Sequence, residues 1–158
     1  MPNRKVRCKT IEGKYIWIDK KKLVFRPSAY AIIKNRGRVL LMTNKTSGKL
    51  WPPGGGIEIG ESIESGLARE VFEETGLKIK AAKLLFYKEN FFYYSPLDEA
   101  YHAFLFFFSC QIKSKKIIAD CLVNDYESER PRWIDIKLLK LSDIQDFSSE
   151  ILIMINKD

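Results

Sequence analysis

Residues 51–77 read WPPGGGIEIGESIESGLAREVFEETGL, and this stretch says most about the architecture. Its first part, up to Gly56, joins prolines to consecutive glycines. It predicts a tight loop with exposed backbone, because glycine tolerates positive φ and the close approach of another group. In the second part Ile63, Leu67 and Val71 recur every four residues, which predicts an amphipathic helix. A glycine-rich loop is therefore expected to lead directly into a helix with one apolar face.

The predicted helix has recognisable ends. Ser62 is a suitable N-cap, because its hydroxyl can accept a hydrogen bond from a backbone N–H of the first turn. Gly76 predicts the left-handed residue that ends a helix. The helix is therefore expected over residues 62–75, with Ala68 and Phe72 beside the apolar stripe.

Three glutamates crowd the polar side of this helix. Glu70, Glu73 and Glu74 are three and four residues apart and share one side, with Arg69 next to them. Repulsion between solvated carboxylates costs only about 0.2–0.5 kcal/mol per pair, so a plain acidic surface would also explain them. The glycine-rich loop favours a second interpretation, because hard oxygens beside exposed backbone N–H groups suit Mg²⁺ and a phosphorylated substrate. A divalent cation is then the expected compensating charge.

Residues 55–77 follow the spacing of the Nudix box, G-x5-E-x7-R-E-U-x-E-E-x-G-U, in which U is apolar. Every fixed position matches, and the matching residues are Gly55, Glu61, Arg69, Glu70, Val71, Glu73, Glu74, Gly76 and Leu77. The preceding LWPPGGGIE is also similar to the family. The chain therefore resembles the Nudix hydrolases. The resemblance implies an α/β/α sandwich, a mixed β-sheet with helices on both faces.

The reaction that this resemblance implies is hydrolysis of a nucleoside diphosphate derivative, in which water attacks phosphorus and a P–O–P bridge breaks. Metal ions suit this chemistry, because they neutralise phosphate oxygens and lower the pKa of a bound water. A nucleoside triphosphate, an ADP-sugar and a dinucleoside polyphosphate all remain candidate substrates, since loops outside the box set specificity. One alternative is a pyrophosphohydrolase acting on the 5′ end of RNA. The other is a non-catalytic nucleotide-sensing domain, although such domains usually lack a catalytic glutamate.

The resemblance also implies roles for the charged residues of the box. Glu70, Glu73 and Glu74 would bind one or more Mg²⁺ or Mn²⁺ ions, and Glu70 could also serve as the general base. Arg69 would hold these glutamates in register through a salt bridge. Glu61 would tie the loop to the helix.

The phosphates of the substrate are expected to contact backbone, and its base is expected to contact a side chain. Gly55 and Gly56 would let the backbone approach the phosphates. Tyr93 is a candidate to stack on the base, although an aromatic side chain in a strand more often belongs to the core. Family members often add one carboxylate from outside the box, and here Glu127 or Glu129 is favoured. Asp98 and Glu99 are the alternatives, and each of the four is more commonly a solvated loop residue.

The remainder of the chain predicts mainly strands. Hairpins are expected with turns at residues 12–13 and 35–37, and two long strands should flank residues 95–99. Residues 45–56 are predicted to be a loop. A short strand at residues 132–134 should precede one or two helices, the last with Phe147, Ile151 and Met154 or Ile155 on one face. No repeat or linker interrupts this pattern, which predicts one domain over residues 1–158.

The net charge of +7 is concentrated at the N-terminus. Residues 1–26, the predicted basic strands, hold nine Lys or Arg against Glu12 and Asp19, so this segment alone carries the whole excess. Such a segment could attract phosphates or nucleic acid. The basic residues are scattered and are not interleaved with stacking aromatics, which favours a solvated surface. A small nucleotide is therefore the preferred partner over nucleic acid, and the oligomeric state is left open, a homodimer included.

Several features predict a cytoplasmic protein without a membrane partner. No run approaches the roughly 18 apolar residues of a membrane helix. The basic N-terminus lacks the apolar core of a secretory signal. Cys8, Cys110 and Cys121 are far apart and in no metal-ligand spacing, which predicts reduced thiols.

Overall fold

The structure, a computed structural model, describes residues 4–113, 128–145 and 149–156. Within these segments a mixed sheet carries a helix on each face, which confirms the predicted α/β sandwich. The described strands are β1 (Lys5–Thr10), β2 (Tyr15–Asp19), β3 (Leu23–Asn35), β4 (Arg38–Asn44), β5 (Leu50–Trp51), β6 (Gly54–Gly56), β7 (Ile79–Tyr94), β8 (Glu99–Ile112) and β9 (Ser128–Asp135). The described α-helices are α1 (Ile63–Thr75) and α2 (Ser149–Asn156).

The sheet has the order β2-β1-β7-β8-β3-β4-β5, with β6 paired to β3 and β9 paired to β4. Strands β3 and β8 run parallel from the pair Leu23–Ala100 to the pair Ile33–Cys110. Strands β7 and β8 are antiparallel along most of their length. In contrast, β3 and β4 pair only beside their turn. Because these two arms separate, the edge of β3 is open to β6, the glycine strand that carries the candidate site.

Helix α1 forms as its sequence predicts. The Ser62 side chain accepts a hydrogen bond from the backbone N–H of Ser65 at 3.1 Å, and Gly76 adopts a φ of 68° at the other end. Leu67 and Val71 are fully buried against the sheet. The predicted N-cap, apolar stripe and left-handed stop are therefore confirmed.

The two helices cover opposite faces because side chains alternate along β3. Ala29, Ala31 and Ile33 belong to the core that contains the buried residues of α1. Ile32 belongs instead to the core that contains Ile151 of α2. One central strand thus contributes to both cores, and its far edge remains available for β6.

Both predicted hairpins are confirmed, with turns at residues 12–13 and 35–37. The prediction that residues 45–56 are entirely loop is wrong. Strand β5 pairs with β4, and β6 pairs with β3. Glycine has no side chain to signal a strand, so the pairing of β6 follows from the exposed edge of β3 and not from local propensity.

The C-terminal predictions are confirmed where the structure describes them. The strand at residues 132–134 lies inside β9, and Ile151 and Ile155 are buried on one side of α2. Phe147, predicted for the same side, lies outside the described residues. No helix within the described segments has the length and apolar character needed to cross a membrane.

The packing of α2 can be tested on two isoleucines of the same helix. Ile151 is 0% exposed and Ile153 is 53% exposed. We expect Ile151→Ala to lower the free energy of unfolding by about 2–5 kcal/mol, because it leaves a cavity. Ile153→Ala should change it by less than about 0.5 kcal/mol. Urea unfolding of both variants measures this, and equal losses would contradict the packing described.

Candidate active site

Arg69 links the start of helix α1 to the loop before it. Its Nε and Nη2 donate to the two carboxylate oxygens of Glu61, at 3.0 and 3.1 Å. Nη2 also donates to the carbonyl of Gly56 at 3.0 Å. Glu61 in turn accepts from the backbone N–H of Glu58 at 3.0 Å. The hydrogen bonds from Arg69 and from this N–H lower the pKa of the Glu61 carboxyl, so the pair stays ionised.

The three glutamates of the helix are held by two different donors. Arg69 Nη1 donates to Glu70 Oε1 at 3.0 Å and to Glu73 Oε2 at 3.3 Å. The backbone N–H of Gly54 donates to Glu74 Oε2 at 2.7 Å. The structure therefore brings Glu70 and Glu73 together on one guanidinium and directs Glu74 to the glycine strand.

Glu70 occupies space that exists only because residue 55 is glycine. Gly55 pairs with Ala29, on the face of the sheet that α1 covers. A Cβ at Gly55 would lie 2.7 Å from Glu70 Cδ and 2.7 Å from Glu70 Oε2. Burial raises the pKa of the Glu70 carboxyl, although the ion pair with Arg69 opposes the shift. Glu70 thus lies packed against exposed backbone in a poorly hydrated position.

The three glutamates of helix α1 have the right donor atoms for a hard divalent cation, but their side chains do not converge on one point. Glu70, Glu73 and Glu74 offer carboxylate oxygens from one side of one helix, which is the donor type that Mg²⁺ and Mn²⁺ prefer. Within the described residues, no group of three or more His, Cys, Asp or Glu side chains is arranged to hold a metal ion. Glu73 is bound to Arg69 and Glu74 to the N–H of Gly54, so these carboxylates would have to change rotamer to converge on one ion.

Arg26 is a neighbour of the site that the sequence reasoning missed. Its guanidinium lies 5.1 Å from the ring centroid of Tyr101, and its Nε would lie 3.4 Å from a Cβ on Gly56. Its charge lowers the pKa of Glu70, against the effect of burial. The signal was present in the sequence, because Arg26 is a charged residue inside a largely apolar strand.

Tyr93 is not brought to the glycine strand. Its hydroxyl donates to Asp98 at 2.5 Å, beside the turn between β7 and β8. Tyr93 pairs with Ala100 of β8, whereas Gly55 pairs with Ala29, which is opposite Phe106 of β8. Six residues along β8 separate the two positions, which is about 20 Å. The role in base stacking that the resemblance suggested for Tyr93 has no geometric support.

The additional carboxylate outside the box stays a prediction. Glu127 lies outside the described residues. The backbone of Glu129 pairs with Thr43 of β4. Of the alternatives, Asp98 accepts from Tyr93, and Glu99 accepts from the hydroxyl of Tyr101.

Several known proteins are similar to this chain. The family model of the NUDIX domain matches residues 24–153. Over 65 residues the chain is 43% identical to an NAD-capped RNA hydrolase of Actinobacillus succinogenes, which covers 36% of this chain and 24% of that protein. Over 71 residues it is 38% identical to an RNA pyrophosphohydrolase of Proteus mirabilis, which covers 44% of this chain and 40% of that protein. The matches thus span well under half of the length of these curated relatives.

A solved structure shows the same fold over a larger part of the chain. The crystal structure of a MutT NUDIX hydrolase from Burkholderia pseudomallei superposes with a TM-score of 0.66. It covers 85% of this chain and 99% of that chain at 21% identity.

The ion pair of Glu61 predicts a pH-dependent stability. Because folding lowers the pKa of Glu61, its contribution is complete above the unfolded pKa and is lost as the pH falls through the folded pKa. We expect Glu61→Gln to lower the free energy of unfolding above about pH 5, and the deficit to shrink toward about pH 3. Urea unfolding at both pH values measures this, with Glu64→Gln, an exposed residue of the same helix, as the control. A deficit that is equal at both pH values would contradict the role of the charge.

Proposed function

This chain belongs to the Nudix family, and we propose that it hydrolyses the pyrophosphate linkage of a nucleoside diphosphate derivative in the presence of a divalent metal ion. The products would be a nucleoside monophosphate and the remaining phosphorylated fragment. The observation that carries the proposal is the contact between Glu70 and Gly55. It places a half-buried carboxylate directly beside glycine backbone that a phosphate can approach.

The metal would be held by Glu70, Glu73 and Glu74. When bound, Mg²⁺ or Mn²⁺ supplies charge neutralisation at the phosphate oxygens and lowers the pKa of a bound water. Arg69 keeps Glu70 and Glu73 on one side of the helix through its Nη1. Gly54 orients Glu74 through its backbone N–H.

Glu70 is also the proposed proton acceptor. Its Oε1 accepts from Arg69, and its Oε2 is the nearer of the two oxygens to a Cβ on Gly55, at 2.7 Å against 3.0 Å. We assign to Oε2 the proton that the attacking water releases. Arg69 remains a positioning residue, because its five N–H donors are directed to the loop and to carboxylates.

The names of the relatives support the reaction class more than the substrate. One is a pyrophosphohydrolase and the other a hydrolase, and both names refer to RNA. A nucleoside triphosphate, an ADP-sugar and a dinucleoside polyphosphate therefore stay beside RNA as candidates. The non-catalytic alternative has less support, because Glu70, Glu73 and Glu74 are all present. Cys8 and Cys110 are buried free thiols, which fits the proposed cytoplasmic location.

The proposal is tested by a phosphate-release screen. The substrates are nucleoside triphosphates, ADP-ribose, dinucleoside polyphosphates, and capped and triphosphorylated RNA, each with Mg²⁺, with Mn²⁺ and with chelator. A coupled phosphatase reports phosphate from those products that are not themselves orthophosphate. We expect at least one substrate to be split in a metal-dependent way. Absence of turnover on every substrate with both metals would overturn the proposal in favour of a sensing domain.

Two glutamates of helix α1 provide a matched pair for the chemistry. Glu70→Gln keeps the size of the side chain and removes its charge, so we expect kcat to fall by about 100-fold or more. Glu64→Gln makes the same change in the exposed first turn and should leave kcat within about twofold of the unmodified protein. Steady-state kinetics on the best substrate of the screen compares the two variants. Equal kcat values would contradict the catalytic role proposed for Glu70.

The glycine strand provides a second matched pair. In Gly55→Ala the new methyl group would displace the Glu70 carboxylate, whereas in Gly56→Ala it would meet Arg26 at 3.4 Å. We expect Gly55→Ala to lower kcat by about tenfold or more with little loss of stability, because the end of a side chain can move aside. Gly56→Ala should lower kcat less. Kinetics and urea unfolding measure both effects, and unchanged kcat in Gly55→Ala would contradict the proposed approach of substrate.

A further inference from the structure

A polar cleft lies between the β1–β2 hairpin and strand β7, away from the glycine strand. Its volume is about 310 Å³. The lining includes Arg7 and Lys9 of β1, Tyr15 of β2, and Lys88 and Asn90 of β7. None of these residues belongs to the Nudix box, so the cleft lies outside the candidate active site described above.

Aromatic rings and cations are interleaved on this side of the hairpin. The pairing of β1 with β2 sets Arg7 opposite Trp17 and Lys9 opposite Tyr15. The Arg7 guanidinium lies 3.9 Å from the ring centroid of Tyr15. Tyr15 is 54% exposed and Trp17 is 60% exposed. The interpretation that the N-terminal cations lack interleaved aromatics is therefore wrong, because strand pairing joins residues that the sequence separates.

The charges that line the cleft favour an anion. Arg7, Lys9 and Lys88 face one carboxylate, that of Glu89. Lys88 pairs with Glu150 of α2 at 3.1 Å. Glu89 Oε1 lies 2.7 Å from Nε2 of His102, a residue of the neighbouring strand β8. Three cationic side chains against one carboxylate give the lining itself a positive formal charge.

Asn90 adds a buried donor that lacks an acceptor. Its Nδ2 is inaccessible to solvent and has no hydrogen-bond partner among the described residues. An unsatisfied buried donor costs about 1–3 kcal/mol, so such groups commonly mark a bound molecule. An oxygen of a phosphate or of a base would satisfy this amide once the Asn90 side chain turns toward the cleft.

We propose that the cleft binds a single-stranded segment of an RNA substrate, downstream of the 5′ phosphates that enter the site in the Nudix box. This inference rests on the proposed function and specifies its substrate class. Exposed aromatic rings stack on bases without regard to sequence, and adjacent cations bind the phosphates between the bases. The cleft offers both in Tyr15, Arg7 and Lys9, and Trp17 lies beside it, opposite Arg7.

The spacing of the strands separates this cleft from the glycine strand. Strands β7, β8 and β3 lie between β1 and β6, so four strand spacings of about 4.8 Å give about 19 Å. At about 3.4 Å per stacked nucleotide, this separation across the strands corresponds to at least five or six nucleotides. The cleft lies on the α2 face, because Lys88 and Asn90 are opposite Leu105 and Ala103 of that core, whereas Glu70 meets Gly55 on the α1 face. Only a chain of several nucleotides can extend from one site to the other.

Binding is measured with a single-stranded, 5′-triphosphorylated RNA of about 12 nucleotides that carries a 3′ fluorophore. Every protein carries Glu70→Gln, so that the probe stays intact. We expect Arg7→Ala, Tyr15→Ala and Trp17→Ala each to raise Kd by about fivefold or more. The controls Arg38→Ala and Tyr87→Ala remove equally exposed side chains outside the cleft and should leave Kd within about twofold. Urea unfolding identifies any variant that fails to fold, and the Kd values of the remaining variants decide whether the cleft binds the RNA.

Turnover by proteins with Glu70 intact separates this inference from the proposed function. We expect the cleft variants to raise KM for the RNA and to leave turnover of a free nucleoside triphosphate unchanged. RNA binding that requires the cleft, without hydrolysis of any substrate, would support the inference and overturn the proposed function. Nucleotide hydrolysis together with RNA binding that is unchanged in the cleft variants would support the proposed function and overturn the inference. Preference for the same RNA as a duplex, or for anionic lipid vesicles, would also overturn the inference.

Discussion

The ion pair between Arg69 and Glu61 organises the site. It is bidentate, both side chains are largely shielded from water, and the same guanidinium also binds the carbonyl of Gly56. The Arg69 guanidinium thereby fixes the loop, the glycine strand and helix α1 relative to one another. Its remaining N–H donors then position Glu70 and Glu73. Burial would otherwise favour the neutral form of Glu70, so Arg69 also opposes protonation of the residue proposed as base.

The glycine strand is the second constraint, because a strand without side chains leaves both of its faces open. On one face Glu70 packs against Gly55, and on the other Arg26 lies against Gly56. Gly54 turns its N–H to Glu74 at a φ of 134°, a conformation that other residues rarely adopt. Carboxylates and a cation can therefore approach the same short piece of backbone from opposite sides. With a metal ion on the carboxylates, the charge of a polyphosphate would be neutralised from both sides.

Much of the fold could be predicted from the sequence. Helix α1, its Ser62 cap and its Gly76 stop follow from local preferences, which act within one or two turns. The mixed sheet follows from alternating apolar runs. The prediction failed at β6, because a glycine-only strand has no propensity and exists only through the edge of β3. A single domain over residues 1–158 and the additional carboxylate at Glu127 stay predictions.

The sequence by itself determined which charged groups lie together at the candidate site, since Arg69 and the glutamates stand within a few turns of one helix and spacing alone puts them together. Tertiary pairing determined which other residues join them. Strand pairing places Tyr93 about 20 Å from the glycine strand and Arg26 next to that strand. It also stacked Arg7 on Tyr15. The physical reason is register, because partners on different strands are set by hydrogen bonds between segments far apart in the chain.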